Sequence, residues 1–62
     1  MMPRVGDRVR ITGIMRDPDP IPVGAEGTVD YIHNGPIPQI GVDWDNGRAL
    51  LLLPHDPFTV VT

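Results

Sequence analysis

The 62-residue sequence offers few side chains for covalent chemistry. It has no serine and no cysteine, so the candidate nucleophiles are the hydroxyls of Thr12, Thr28, Thr59 and Thr62. An attacking hydroxyl needs a base within hydrogen-bond reach and a third group to orient that base. His33 and His55 stand in no such arrangement. Each does have an aspartate close by, Asp30 and Asp56, and two imidazoles with two carboxylates could in principle hold a metal. Turn histidines beside aspartates are ordinarily solvated, so no metal site is assigned. The run Asp43-Trp44-Asp45-Asn46-Gly47 is similar to the opening of a calcium loop. Counted from Asp43, however, Arg48 falls where that loop needs glycine and Pro54 where it needs a bidentate glutamate. Gly24-Ala25-Glu26-Gly27 lacks the lysine and the following helix of a phosphate loop. The expectation is a protein that is not an enzyme and takes no cofactor.

Binding chemistry is better represented. Arg4, Arg8, Arg10 and Arg16 against Asp7 give residues 1–16 a charge of +3, whereas Arg48 against seven acids gives the rest −6, which returns the net −3. On an extended strand Arg8 and Arg10 share a face at a separation of about 6.5–7 Å, close to the phosphate repeat of a nucleic-acid strand. A single-strand binder would add stacking aromatics and more cations. The chain has no lysine, so pairing of these arginines with neighbouring aspartates is the first expectation. A nucleic-acid interface through Arg4, Arg8, Arg10 and Arg16 is the alternative. A second candidate is Arg48-Ala49-Leu50-Leu51-Leu52-Leu53. In a strand only alternate residues face a core, so if Leu50 and Leu52 point in, Leu51 and Leu53 point out. Either Ile21-Pro22-Val23 or the turn at Ile37 folds over them, or barrel curvature buries one of them, or they form a homodimer or partner-protein interface. Asp17 and Asp19, on the proline-rich stretch, and Tyr31 complete the set of candidate partner-binding residues.

Proline and glycine make 15 of 62 residues, just short of the composition at which an aperiodic chain is read as disordered. Against disorder stand a hydrophobic fraction of 40% and a small net charge. No apolar run is long enough to span a bilayer, and the start lacks the layout of a secretory signal, so the expectation is a cytoplasmic protein with no membrane partner. Helical spacing of apolar residues is absent. Period-2 alternation is present instead, over Asp7 to Thr12, with Val9 and Ile11 inward. Three prolines at alternate positions, Pro18, Pro20 and Pro22, then keep the 16–24 segment out of any sheet and predict a stiff loop. Gly27 to His33 reads as a second strand, ended by Asn34-Gly35, which prefers the φ > 0 geometry of a tight turn, with Pro36-Ile37-Pro38 then lengthening the connection. Gln39 to Trp44 is the third. Asn46-Gly47 predicts a type I′ hairpin turn into a return strand over Arg48 to Leu53. Pro54 to Pro57 stops that strand with a turn containing a helical twist, and Phe58 to Val61 is the last. The expected fold is all-β, a single small five-stranded SH3-like barrel spanning residues 1–62, with its ordered core over about 5–61. The predicted core is Val9, Ile11, Val29, Ile40, Val42, Trp44, Leu50, Leu52, Phe58 and Val60.

The blocks Gly6-Asp7-Arg8-Val9-Arg10-Ile11, Gly24-Ala25-Glu26-Gly27-Thr28-Val29 and Gly41 to Arg48 occur in this order over most of the chain. They resemble an uncharacterised family, a domain of unknown function, of short SH3-like barrel proteins common in actinobacterial phages and their hosts. A weaker similarity, over the first two blocks, is to KOW-type barrels. The resemblance implies a fold and a genomic setting and attaches no activity. An arginine-only basic set agrees with such a setting. KOW-type barrels place basic loops on RNA, whereas this chain has Asp17, Asp19, Glu26 and Asp30 near the corresponding turns. The functional expectation is therefore a non-enzymatic interaction module, a phage or mobile-element accessory protein. It would bind a protein partner or itself through Leu51, Leu53, Tyr31, Asp17 and Asp19. In SH3-type barrels a loop and aromatics placed like these take proline-rich peptides. Trp44, in phase with Ile40 and Val42, is assigned to the core, which leaves Tyr31 as one aromatic and a poor groove of that kind.

Overall fold

A computed structural model describes residues 2–61. It is all-β, with four strands, β1 (Arg8–Ile11), β2 (Glu26–His33), β3 (Gln39–Trp44) and β4 (Phe58–Val61), among the described residues. They form one open antiparallel sheet in the order β3-β2-β1-β4. The alternation in β1 acts as its sequence predicts: Val9 and Ile11 are fully buried, and Arg8 and Arg10 lie on the opposite face. Arg8 opposes Thr28 and Arg10 opposes Glu26 across β2, so both arginines meet β2 side chains on their own face. The Cα radius of gyration is 10.4 Å, close to the ~10.6 Å expected of a folded domain of this length. The high proline and glycine content is thus compatible with a packed chain. No helix among the described residues is long and apolar enough to cross a membrane.

A bulge in β2 sets the direction of its side chains. Val29 opposes Val42 and Tyr31 opposes Gly41, which leaves Asp30 as an extra residue. The extra residue reverses the alternation. Val29 faces the core before it, Ile32 packs on the core after it, and Tyr31 is turned outward, 47% exposed. Tyr31 then lies over its cross-strand partner, and a Cβ built on Gly41 would come within 2.0 Å of the Tyr31 ring. This explains a glycine in mid-strand: it makes room for an aromatic ring on the sheet's outer face.

Two turns and one strand differ from their sequence expectations. A type I′ turn would require φ > 0 at Asn46, yet only glycines have positive φ, and here it is Gly47, at 81°. The turn spans Trp44 to Gly47, with the Gly47 N–H donating to the Trp44 carbonyl at 3.0 Å. Asn46 uses its side chain as well, Oδ1 accepting from the Arg48 N–H at 2.9 Å. Gly35 does not have positive φ either, so the connection after β2 is a wide bend. The chain that leaves Gly47 does not pair as a strand. Of the expected 48–53 return strand only a single bridge, Ile40 to Leu52, is present. Here the Trp44 indole Nε1–H donates to the Leu50 carbonyl at 2.9 Å. That carbonyl is the acceptor a continued ladder would have offered to Val42. After Leu53 the chain makes a hydrogen-bonded turn, with Asp56 N–H donating to Leu53 O at 3.0 Å.

The core comprises Val9, Ile11, Met15, Ile21, Val29, Ile40, Val42, Trp44 and Leu52. Leu50, Phe58 and Val60, expected inside, are half-buried and pack on its edge. Met15 and Ile21 were not expected there. They come from the loop between β1 and β2, whose prolines exclude it from the sheet but leave it free to lay apolar side chains across the open face. Arg48 fixes this loop from the other side. Its guanidinium donates to the carbonyls of Asp19 at 2.6 Å and Pro20 at 3.4 Å, and it pairs with the Asp19 carboxylate at 3.2 Å.

Candidate interaction surface

The 48–53 segment sends its side chains alternately to either side although it is not a strand. Leu52 is fully buried, Leu51 is 38% exposed, and Leu53 is half-buried. Neither expected cover reaches Leu51. Ile21 enters the core itself, and Ile37 stands in solvent at 62% exposure. Leu51 instead belongs to two grooves. The first, about 560 Å³, lies between the start of the long loop, Ile14 to Asp17, and the Leu51–Pro57 stretch. The second, about 320 Å³, is lined by the bulge at Asp30 and Tyr31, by Gly41 and Val42 of β3, and by Ala49, Leu50 and Leu51.

The structure thus brings together four of the five candidate partner-binding residues. Asp17, Leu51 and Leu53 line the first groove, and Tyr31 meets Leu51 at the second. Asp19 stands apart, paired with Arg48. Asp17 also caps its own loop, with Oδ1 accepting from the Asp19 N–H at 2.9 Å. Ile14, 84% exposed and on the rim of the first groove, was missed by sequence reasoning. It follows the last residue with strand alternation, where no periodic signal remains. Ala49 and Leu50, which the sequence places in the candidate return strand, line the second groove.

The four arginines of the basic segment are divided. Arg8 makes a two-pronged contact with Asp45, Nη1 to Oδ1 at 2.9 Å and Nη2 to Oδ2 at 2.5 Å, and also reaches Glu26 at 3.4 Å and Thr28 Oγ1 at 3.1 Å. Arg10 Nε donates to Glu26 Oε2 at 2.9 Å. These contacts raise the Arg8 pKa further, and hold the Asp45 and Glu26 carboxyls below their ordinary range, chiefly through the hydrogen bonds from Arg8 to Asp45 and from Arg10 to Glu26. Arg4 is exposed, and among the described residues it donates only its backbone N–H, to Asp7 at 2.8 Å. Arg16 is exposed on the first groove, well separated in role from the paired arginines.

Among the described residues no three His, Cys, Asp or Glu side chains gather to hold a metal. Thr28 accepts from Arg8 and has no imidazole partner; Thr62, another of the hydroxyls considered, lies outside the described residues. Scanned against protein-family models, curated proteins and solved structures, the chain gives no match in any of the three.

Proposed function

We propose that the chain is a non-enzymatic protein-interaction module, of the phage or mobile-element accessory kind its sequence resembles. It binds a protein partner, or a second copy of itself, through the face around Leu51. The observation that carries this reading is the position of Leu51: a leucine 38% exposed, shared by two grooves, with Ile14 and Tyr31 exposed on their rims. Apolar area left in water forgoes about 25 cal/mol per Å², and a cluster of it on one face of so small a protein is the usual mark of an interface. In fold terms the reading is an SH3-like barrel in which the 48–53 segment stands where a further strand would, joined to β3 by one bridge. The nucleic-acid alternative is the weaker, because Arg8 and Arg10 already have carboxylate partners.

Sedimentation equilibrium over a wide concentration range, with affinity capture in parallel, tests the proposal on the wild type and on Leu51→Asp and Leu53→Asp. The expected result is a dimer or a captured protein that is lost in Leu51→Asp. A monomer at high concentration whose captured set neither change alters would overturn it. Binding of mixed oligonucleotides at low salt, falling steeply as salt rises, would favour the alternative.

A further inference from the structure

The backbone of β3 alternates between its two neighbours. Ile40 donates to the Leu52 carbonyl at 2.9 Å and accepts from the Leu52 N–H at 2.9 Å, so its polar groups point away from β2. Val42, two residues on in the same strand, must point the same way. Its ladder partner would be Leu50, whose carbonyl is held by the Trp44 indole. Among the described residues no hydrogen bond reaches the Val42 N–H or C=O from that side. A donor and an acceptor at the edge of a sheet are a template for another extended chain, and unpaired backbone groups away from water are costly enough that nearly all find partners.

The surroundings of this open pair specify what could fill it. Val42 lines the second groove, where Asp30 is the one charged residue and no cation is present. Asp30 forms no ion pair among the described residues. Beside it Tyr31 is 47% exposed, with one face of its ring on Gly41 and therefore the other turned to solvent. A carboxylate next to an open aromatic face suits an ammonium or guanidinium. A second copy of this chain suits it poorly, because each copy carries a net charge of −3 and edge-to-edge pairing would bring Asp30 to a like surface.

We propose that the second groove binds a short extended segment of a basic partner peptide, whose backbone pairs with the N–H and C=O of Val42 and whose arginine or lysine meets Asp30 beside Tyr31. This names the partner chemistry for the interaction module proposed above and rests on that reading. Leu51 and Ala49 supply the apolar contact for the residues flanking the cation.

The probe is the blocked peptide acetyl-Thr-Val-Arg-Val-Thr-amide, titrated into isotopically labelled protein and followed by NMR. Two control peptides replace the arginine by glutamate or methylate the backbone nitrogen of the valine after it. The expected result is saturable binding that shifts the Val42 amide and slows its hydrogen exchange. Each control should bind at least about fivefold more weakly, as the loss of one hydrogen bond or one charge contact implies. Asp30→Asn, at an exposed site, should weaken the arginine peptide to a similar degree while leaving the fold intact. Three outcomes would overturn the proposal: equal binding of all peptides, no saturable binding at millimolar concentration, or a Val42 amide already protected in the free protein. The last would mean that the chain's own 48–51 segment closes on β3. Capture that stays sensitive to Leu51→Asp while the peptides fail would sink this inference alone and leave the module intact.

Discussion

Trp44 does two things at once. Its ring fills the core, 2% exposed, and its Nε1–H donates to the Leu50 carbonyl at 2.9 Å. A buried indole ordinarily finds an acceptor for that donor. The acceptor it finds belongs to the neighbouring segment's backbone, so a need of the core decides the structure of the surface. Trp44→Phe keeps most of the apolar contact and removes the donor. We expect it to cost about 1–3 kcal/mol, from the lost hydrogen bond and the smaller ring, read as a lowered urea midpoint. The Leu50 carbonyl, once released, should pair with the Val42 N–H. Slower Val42 amide exchange in a less stable protein is thus the expected signature. Exchange at Val42 that merely speeds up with the overall loss of stability would show that the indole does not hold the segment off the ladder.

The elements divide into those that local pattern determines and those that tertiary contacts determine. β1 joins β2 and the turn after β3 through Arg8, which holds Asp45 and Glu26, with Arg10 also on Glu26. Both carboxyls titrate lower folded than unfolded, so the unfolded chain takes up their protons first as pH falls. Their contribution is complete above about pH 4–5, where the unfolded carboxyls are ionised, and is lost as pH drops through the depressed folded values. Arg8→Met should lower the urea midpoint slightly at pH 7, since these side chains are well exposed. It should also flatten the decline between pH 5 and pH 2; a parallel decline in the variant and the wild type would exclude the network as its source. All four strands and most of the inward residues were legible because period-2 alternation is local: Val9, Ile11, Ile40, Val42 and Trp44 all face as their phase requires. The return strand was not, because whether that segment pairs is decided by non-local contacts, such as the one from Trp44 to a carbonyl six residues away, that no local pattern shows. Nor was the burial of Met15 and Ile21, in a loop where proline says what the backbone cannot do and nothing says where its side chains go. At the candidate interaction surface the exposure of Tyr31 was legible, whereas that of Leu51 was left open between cover and solvent, and the two grooves were not legible, since each is made by segments distant in sequence.

At the scale of the whole molecule the chain closes its core with very little material. A domain of this length is stable by about 3–9 kcal/mol, at ~0.05–0.15 kcal/mol per residue, and it has no cysteine with which to cross-link itself. Its sheet is open, so the far side of the core depends on two irregular segments, the β1–β2 loop through Met15 and Ile21 and the 48–53 segment through Leu52. Leu52 is fully buried and both its backbone groups bond Ile40. Its neighbour Leu51 is in the same segment, of the same size, and faces outward. Truncating each to alanine therefore separates the seat of the segment from its composition. Leu52→Ala should cost about 2–5 kcal/mol, a large part of the total, and leave a protein with a much lowered melting temperature or a visible unfolded fraction at 25 °C. Leu51→Ala should stay within about 0.5–1 kcal/mol of the wild type, the range of exposed substitutions. Thermal melts of the two variants at one protein concentration decide the matter. Equal losses would mean that the segment does not present one leucine to the core and the other to solvent, and the interaction surface built on Leu51 would fall with it.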